Sequence, residues 1–221
     1  MNPRAFVFDA YGTLFDVHAA IARHRDAAGP DADRMSELWR TKQLEYAWTL
    51  TLAGRYADFW TLTERALDYA LARVPSVDPA LKSKLLDAYR TLDAYPDARV
   101  ALAALKAQGS LTAILSNGSP AMLDAAVTAA GLGAVLDAVV SVNAIRLYKP
   151  RAEVYALATD ALGVAPGEVV FVSSNRWDVM GAVAFGFRAV WVNRAAMPDE
   201  YAKLVPAAVV HDLASLSALV F

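Results

Sequence analysis

Short apolar runs that stop at small or polar residues recur along the chain. They lie at Phe6–Phe8, Leu111–Leu115, Ala138–Val140, Val169–Val172, Ala189–Val192 and Val209–Val210. Their β-branched and aromatic content, with no polar alternation, predicts parallel strands buried on both faces. Between them lie alanine-rich stretches with helical boundaries. Val100–Gln108 ends at Gly109, Ala121–Ala130 follows Ser119-Pro120 and ends at Gly131, and Ala152–Leu162 follows Pro150 and ends at Gly163. Proline near the entry and glycine at the exit suit helix termini. Strand-helix alternation of this kind predicts an α/β fold, a Rossmann-like parallel-sheet core with helices on both faces.

The alternation stops between residues 16 and 95, where no strand pattern occurs. Long amphipathic stretches stand there instead, at Asp33–Ala53, Tyr56–Ala72 and Pro79–Leu92, punctuated by Gly54, Val74-Pro75 and Tyr95-Pro96. A helical block between the first strand and the rest of the sheet predicts an inserted helical cap domain over 16–95. The core domain is then 1–15 with 96–221.

Composition narrows the function classes. The chain has 221 residues, 57% hydrophobic and 20% charged, enough for a sizeable core and unlike a disordered segment. It carries 21 basic and 23 acidic residues and no basic block, which argues against nucleic acid as a partner. A cysteine count of 0 removes disulfides, thiol catalysis and cysteine metal sites. The start of the chain lacks a signal-peptide pattern, and its apolar runs are too short to span a bilayer. The expectation is a soluble, cytoplasmic protein with no membrane partner.

Ligands of an open parallel sheet bind at the carboxyl ends of its strands. The first strand there brings Asp9, Ala10, Tyr11 and Thr13, and the second brings Ser116-Asn117-Gly118-Ser119. Lys149-Pro150 follows Ser141, and the strand at 169–172 is followed by Ser173-Ser174-Asn175-Arg176-Trp177-Asp178. A terminal Ser-Asn-Gly is usually a turn, and a lone Lys-Pro means little. Together, in this order, the four segments put a nucleophile, hydroxyl and amide donors and a cation at one edge.

The segments "FDAYGTL", "LSNGS", "YKP" and "SSNRWD" resemble the four motifs of the haloacid dehalogenase superfamily. Most members of that superfamily are magnesium-dependent phosphatases, with a second aspartate where Tyr11 stands and acidic residues near Ser173 and Ser174. The chain resembles instead the L-2-haloacid dehalogenase branch, as do "LWRTKQLEYAW" and "GRYADFW". The missing acids have a chemical sense. A phosphatase must protonate its leaving alkoxide, whereas halide leaves without a proton and needs only a polar cradle.

The resemblance implies that Asp9 displaces halide from C2 of a small-molecule L-2-haloacid, and that water then opens the resulting ester to a D-2-hydroxy acid. No cofactor and no metal are expected. Arg40 is implied as the halide acceptor. Ser116 and Asn117, with nearby backbone N–H groups, hold the substrate carboxylate, and Lys149 holds Asp9 as an oriented anion. Thr13 bonds Asp9 or its loop. Ser173, Asn175 and Asp178 orient the hydrolytic water and Lys149. The residue types leave the base open, with Asp178 favoured as the anion among them, directly or through Lys149. Tyr11, Leu44, Phe59 and Trp177, beside Ala10, line an apolar pocket for the C2 substituent, and Tyr155 resembles a tyrosine that faces the site.

Other residues read as structural. Trp60, Tyr46 and Trp48 are assigned to the core, and His18, His24 and His211 show no ligand spacing. Thr41 stands where some relatives carry glutamine, which suggests a different pocket size or halide preference. The resemblance also implies a homodimer. A phosphatase of the same fold and a non-catalytic member are the competing readings.

Overall fold

The structure, a computed structural model, describes residues 3–221. Among them six parallel strands form one sheet in the order β3-β2-β1-β4-β5-β6. The strands are β1 (Ala5–Phe8), β2 (Leu111–Ser116), β3 (Ala138–Ser141), β4 (Val169–Ser173), β5 (Arg188–Val192) and β6 (Ala208–Val210). All six match the apolar runs to within a residue or two. Burial separates them. β1 and β4 are buried throughout, and β2 and β5 nearly so. The expectation that all six are fully buried fails at the sheet edges, where Val139 is 43% and Val209 52% exposed. An edge strand has a neighbour on one side only, so its apolar content marks pairing more than enclosure.

Helices α1 (Ala19–Ala22), α2 (Arg25–Ala28), α3 (Ala32–Leu52), α4 (Phe59–Arg73) and α5 (Lys82–Arg90) occupy the stretch after β1. The sheet resumes through α6 (Ala98–Ala107), α7 (Pro120–Ala129), α8 (Ala152–Leu162) and α9 (Arg176–Phe185). The last predicted helix of the block divides into a short 3₁₀ turn at Pro79–Leu81 and α5. α1 and α2 escape the sequence pattern because four residues make barely one turn. α9 escapes it because Arg176-Trp177-Asp178 opens the helix with buried polar groups. Among the described residues, no helix is long and apolar enough to cross a membrane.

The two ends of the helical block meet beside the sheet. Asp16 N–H donates to Asp93 at 2.9 Å, and Tyr95 N–H donates to Leu14 at 2.8 Å. These bonds bring α3 and α5 over the carboxyl end of β1. The strand order reverses between β1 and β4, so a crevice opens there. Asp9, the residue after β1, stands at that point, with its N–H bonded to Val172 of β4 at 2.9 Å.

Candidate active site

The turn after β1 sets the direction of Asp9. Ala10 carbonyl accepts from the N–H groups of Thr13, Leu14 and Phe15, closing the chain back on itself. Gly12 has φ +94°, a conformation that side chains disfavour, so glycine permits this turn. Ser174 locks the turn from β4. Its hydroxyl donates to Gly12 carbonyl at 2.6 Å, and its N–H donates to Thr13 Oγ1 at 2.9 Å.

Three side chains hold the Asp9 carboxylate. Lys149 Nζ donates to Oδ1 at 3.0 Å, Asn175 Nδ2 to Oδ2 at 2.8 Å and Thr13 Oγ1 to Oδ2 at 3.2 Å. Asn175 occupies the N-cap position of α9 but makes no side-chain cap bond there. Its amide is thus available for Asp9. Behind them, Lys149 Nζ also donates to Asp178 Oδ2 at 2.8 Å, and Tyr155 hydroxyl donates to Asp178 Oδ1 at 2.8 Å. Two carboxylates therefore share one buried ammonium. Burial alone would lower the Lys149 pKa, but Asp178 and Asp9 outweigh it and raise it. Burial pushes the Asp178 carboxyl up to about 6, against the pull of Lys149.

In front of Asp9 lies a cavity lined by Asp9, Tyr11, Arg40, Leu44, Phe59, Ser116, Asn117 and Trp177. The free space is about 10 Å³, roughly what one water occupies. Arg40, on α3, donates from Nη2 to Tyr11 carbonyl at 3.0 Å, while its Nη1 is buried with no hydrogen-bond partner. An unpaired buried guanidinium N–H is costly in a folded chain and ready for an anion. On the opposite strand, Ser116 Oγ accepts from Gly118 N–H at 3.0 Å, and Asn117 Oδ1 accepts from Lys149 N–H at 3.1 Å. Ser116 keeps its hydroxyl proton, and Asn117 keeps its amide N–H₂ group, as donors at the cavity wall.

The phenol of Tyr11 is one wall. It stacks on Tyr89 at 5.8 Å between centroids, with Phe15 and Phe59 close by. Burial and the neighbouring Tyr89 push its pKa well up, so it stays neutral beside Asp9. Two cations and two carboxylates thus stand at the site, Arg40 and Lys149 against Asp9 and Asp178. Among the described residues, no three His, Asp or Glu side chains cluster where they could hold a metal.

Several expectations need correction. Asp178 is fully enclosed, spends both oxygens on Lys149 and Tyr155 and does not line the cavity, which leaves only the route through Lys149. Tyr155 does not face the cavity. It lies behind Asp178 among Phe171, Phe185 and Phe187. Ser173 Oγ accepts from Asn175 N–H at 3.1 Å and serves the turn. Ala10 contributes its backbone, not its side chain, to the site. Thr41 is exposed and off the cavity, so it gives no ground for a changed pocket. Trp48 is not simply core, since its ring packs edge-on against Trp177 at 5.3 Å. Trp60 and Tyr46 do pack against the core, and His18 and His211 make local bonds to Ser36 and Asn193.

Ser174 and Tyr89 are the residues sequence reasoning missed as supports of the site. Ser174 reads only as an absent acid, with nothing to signal its grip on Gly12. Tyr89 lies on α5, where an aromatic at helical spacing is indistinguishable from core. Its hydroxyl donates to Gln43 of α3 at 3.3 Å.

The haloacid dehalogenase-like hydrolase family matches residues 3–186 of the chain. The chain is 53% identical over 221 residues to (S)-2-haloacid dehalogenase 1 of Pseudomonas sp. (strain CBS-3), covering 99% of this chain and 96% of that protein. Its fold is similar to a crystal structure of a dehalogenase, with TM-score 0.96, 49% identity and coverage of 99% and 97% of the two chains. It is also similar to L-2-haloacid dehalogenase from Xanthobacter autotrophicus with chloropropionic acid covalently bound. There the TM-score is 0.91, the identity 41% and the coverage 99% and 98%.

Proposed function

The chain belongs to the haloacid dehalogenase-like hydrolases, in their (S)-2-haloacid dehalogenase branch, and from that premise we propose a metal-independent double displacement through an ester of Asp9. Asp9 attacks C2 of an L-2-haloalkanoate, the carbon–halide bond breaks, and the halide leaves with the electron pair. Water then adds to the Asp9 carbonyl carbon. The Asp9 oxygen bonded to C2 departs with the product, a D-2-hydroxyalkanoate.

The observation that carries this reading is Arg40, which lines the same cavity as Asp9 and whose Nη1 is a buried, unpaired donor. A halide gains charge as it leaves, and a fixed donor there favours the transition state over the neutral alkyl halide. Ser116 and Asn117 offer donors for the substrate carboxylate. In the second step the oxygen that stays on the Asp9 carbonyl keeps donors from among Lys149, Asn175 and Thr13, as an oxyanion site. Loss of the Asp9 charge leaves Lys149 paired with Asp178 alone, a matched pair that can relay the proton from water.

Support for metal independence comes from Tyr11, Ser173 and Ser174, which stand where the metal-dependent members carry acids. Asp9 and Asp178 are the carboxylates left at the site, and both are bonded to Lys149, at 3.0 and 2.8 Å. The segment 16–95 acts in this reading as the cap that brings Arg40 over Asp9. The test is one turnover of L-2-chloropropionate in ¹⁸O-water with enzyme in excess and chelator present. Label in the Asp9 peptide and almost none in lactate is the expected result. Fully labelled first-turnover lactate overturns the ester, and activity restored only by Mg²⁺ overturns metal independence.

A further inference from the structure

Behind Trp177 lies a second space, a groove of about 360 Å³ lined by Trp48, Thr51, Tyr148, Pro150, Trp177 and Met180 among others. Among the described residues, Trp177 is the one that lines both this groove and the cavity in front of Asp9. The cavity has room for about one water, so a wall must move before any haloacid binds. The other walls are tied. Asp9 and Asn117 are hydrogen-bonded on their side chains, and Arg40 is bonded to Tyr11. Ser116 accepts from Gly118, and Tyr11 and Phe59 are packed in the core. Leu44 and Trp177 are half-buried, and of the two only Trp177 also lines the groove.

The rings of Trp177 and Trp48 meet in a T-shaped pair, and the Trp48 Nε1–H is buried with no acceptor. Resting on the reading of the site given above, we propose that Trp177 is a movable partition and that the groove is a subsite for the alkyl chain of longer L-2-haloalkanoic acids. C2 and the carboxylate stay at Asp9, Ser116 and Asn117, while carbons from C4 onward lie along Trp48 and over Met180. The indole, phenol and thioether walls suit hydrocarbon, while of the two cations in the lining Lys149 is buried and Arg151 is paired with Glu153. Leu52 at its rim is 87% exposed, an apolar side chain for the far end of the chain to cover.

The test measures kcat/KM for L-2-bromopropionate and L-2-bromohexanoate in the wild type, Met180→Phe and Met180→Trp. Each buried methylene can add up to about fourfold, so the wild type is expected to use the longer acid at least as well as the shorter. Filling the groove should lower the hexanoate-to-propionate ratio tenfold or more in Met180→Trp, and less in Met180→Phe. A wild type that turns over propionate but loses tenfold or more on hexanoate overturns the subsite and leaves the dehalogenase reading intact. An unchanged ratio in folded variants also overturns it, and so does a shift from dimer to monomer in light scattering with the ratio kept, which would give the groove to a second copy of the chain. If neither acid is turned over, the dehalogenase reading fails, and calorimetry with D-2-hydroxyhexanoate and D-lactate decides the groove by itself. Tighter binding of the longer acid, lost in Met180→Trp, supports the subsite, and equal affinities overturn it.

Discussion

The Lys149 ammonium stands 2.8 Å from the Asp178 carboxylate, and neither side chain is exposed to solvent. Asp9 approaches the same ammonium at 3.0 Å. One cation thus answers two anions, and the consequences of removing each partner differ.

Lys149→Met leaves two carboxylates facing each other in a dry site. Breaking a buried pair in this way costs about 3–5 kcal/mol, roughly 10 °C of Tm for a chain of this size. Asp178→Asn leaves Lys149 paired with Asp9, and the amide oxygen can still accept, so roughly 1 kcal/mol or less is expected. Denaturant melts of both variants at pH 7 read the difference. Equal losses would show that the three groups do not share charge as the geometry implies.

Tyr155 tunes the same carboxylate. Burial pushes Asp178 up to about 6, and the hydroxyl of Tyr155 pulls it partly back. If the Asp178 anion is needed to keep Lys149 in place, kcat/KM is at its plateau above that value and falls as the pH is lowered through it. Tyr155→Phe removes a donor to the anion, so protonation becomes easier and the acid limb should move to higher pH. A pH profile of kcat/KM in both proteins checks this. A limb that stays in place, with only the plateau lowered, would make Tyr155 a packing residue and nothing more.

Much of this arrangement was legible in the chain. The strand ends carried Asp9, Ser116, Asn117 and Asn175 to one edge because a parallel sheet collects its carboxyl ends, and short apolar runs mark those ends well. Arg40, Leu44 and Phe59 came from the resemblance, since nothing in a helix period says which face meets the sheet. Depth was not legible. Asp178 looks like a site residue by its chemistry and Tyr155 by the resemblance, yet both lie behind Lys149, and only the packing of α8 against α9 reveals it. Trp48 misled for the converse reason, because an indole at helical spacing gives no sign that it borders a groove.

Gly118 supports Tyr11 by being absent of side chain. A Cβ there would stand 2.7 Å from Cε2 of the Tyr11 ring. The ring is hemmed in by Tyr89, Phe15 and Phe59, which limits its retreat. Gly118→Ala should therefore drive the phenol toward the cavity. Overpacking of this kind costs roughly 1–3 kcal/mol, and the larger effect should fall on KM for L-2-chloropropionate, raised tenfold or more. A variant with an ordinary KM and only a lower Tm would place the strain elsewhere.

Arg40 has two duties in the structure, and one variant can separate them. Nη2 clasps Tyr11 carbonyl, and Nη1 is the unpaired donor. Loss of one such donor to a developing anion costs about 3–4 kcal/mol, on the order of 10²–10³ in rate. A structural clasp would slow every substrate alike. A halide cradle would not, because chloride leaves with more concentrated charge than bromide and depends more on a fixed donor. Single-turnover ester formation by Arg40→Ala should therefore fall further with L-2-chloropropionate than with L-2-bromopropionate, and the bromide-to-chloride rate ratio should rise above the wild-type value. Added guanidinium should restore the chloride reaction more than the bromide one. If the ratio stays at the wild-type value while both rates fall, Nη1 does not hold the halide, and the contribution of Arg40 is the contact with Tyr11.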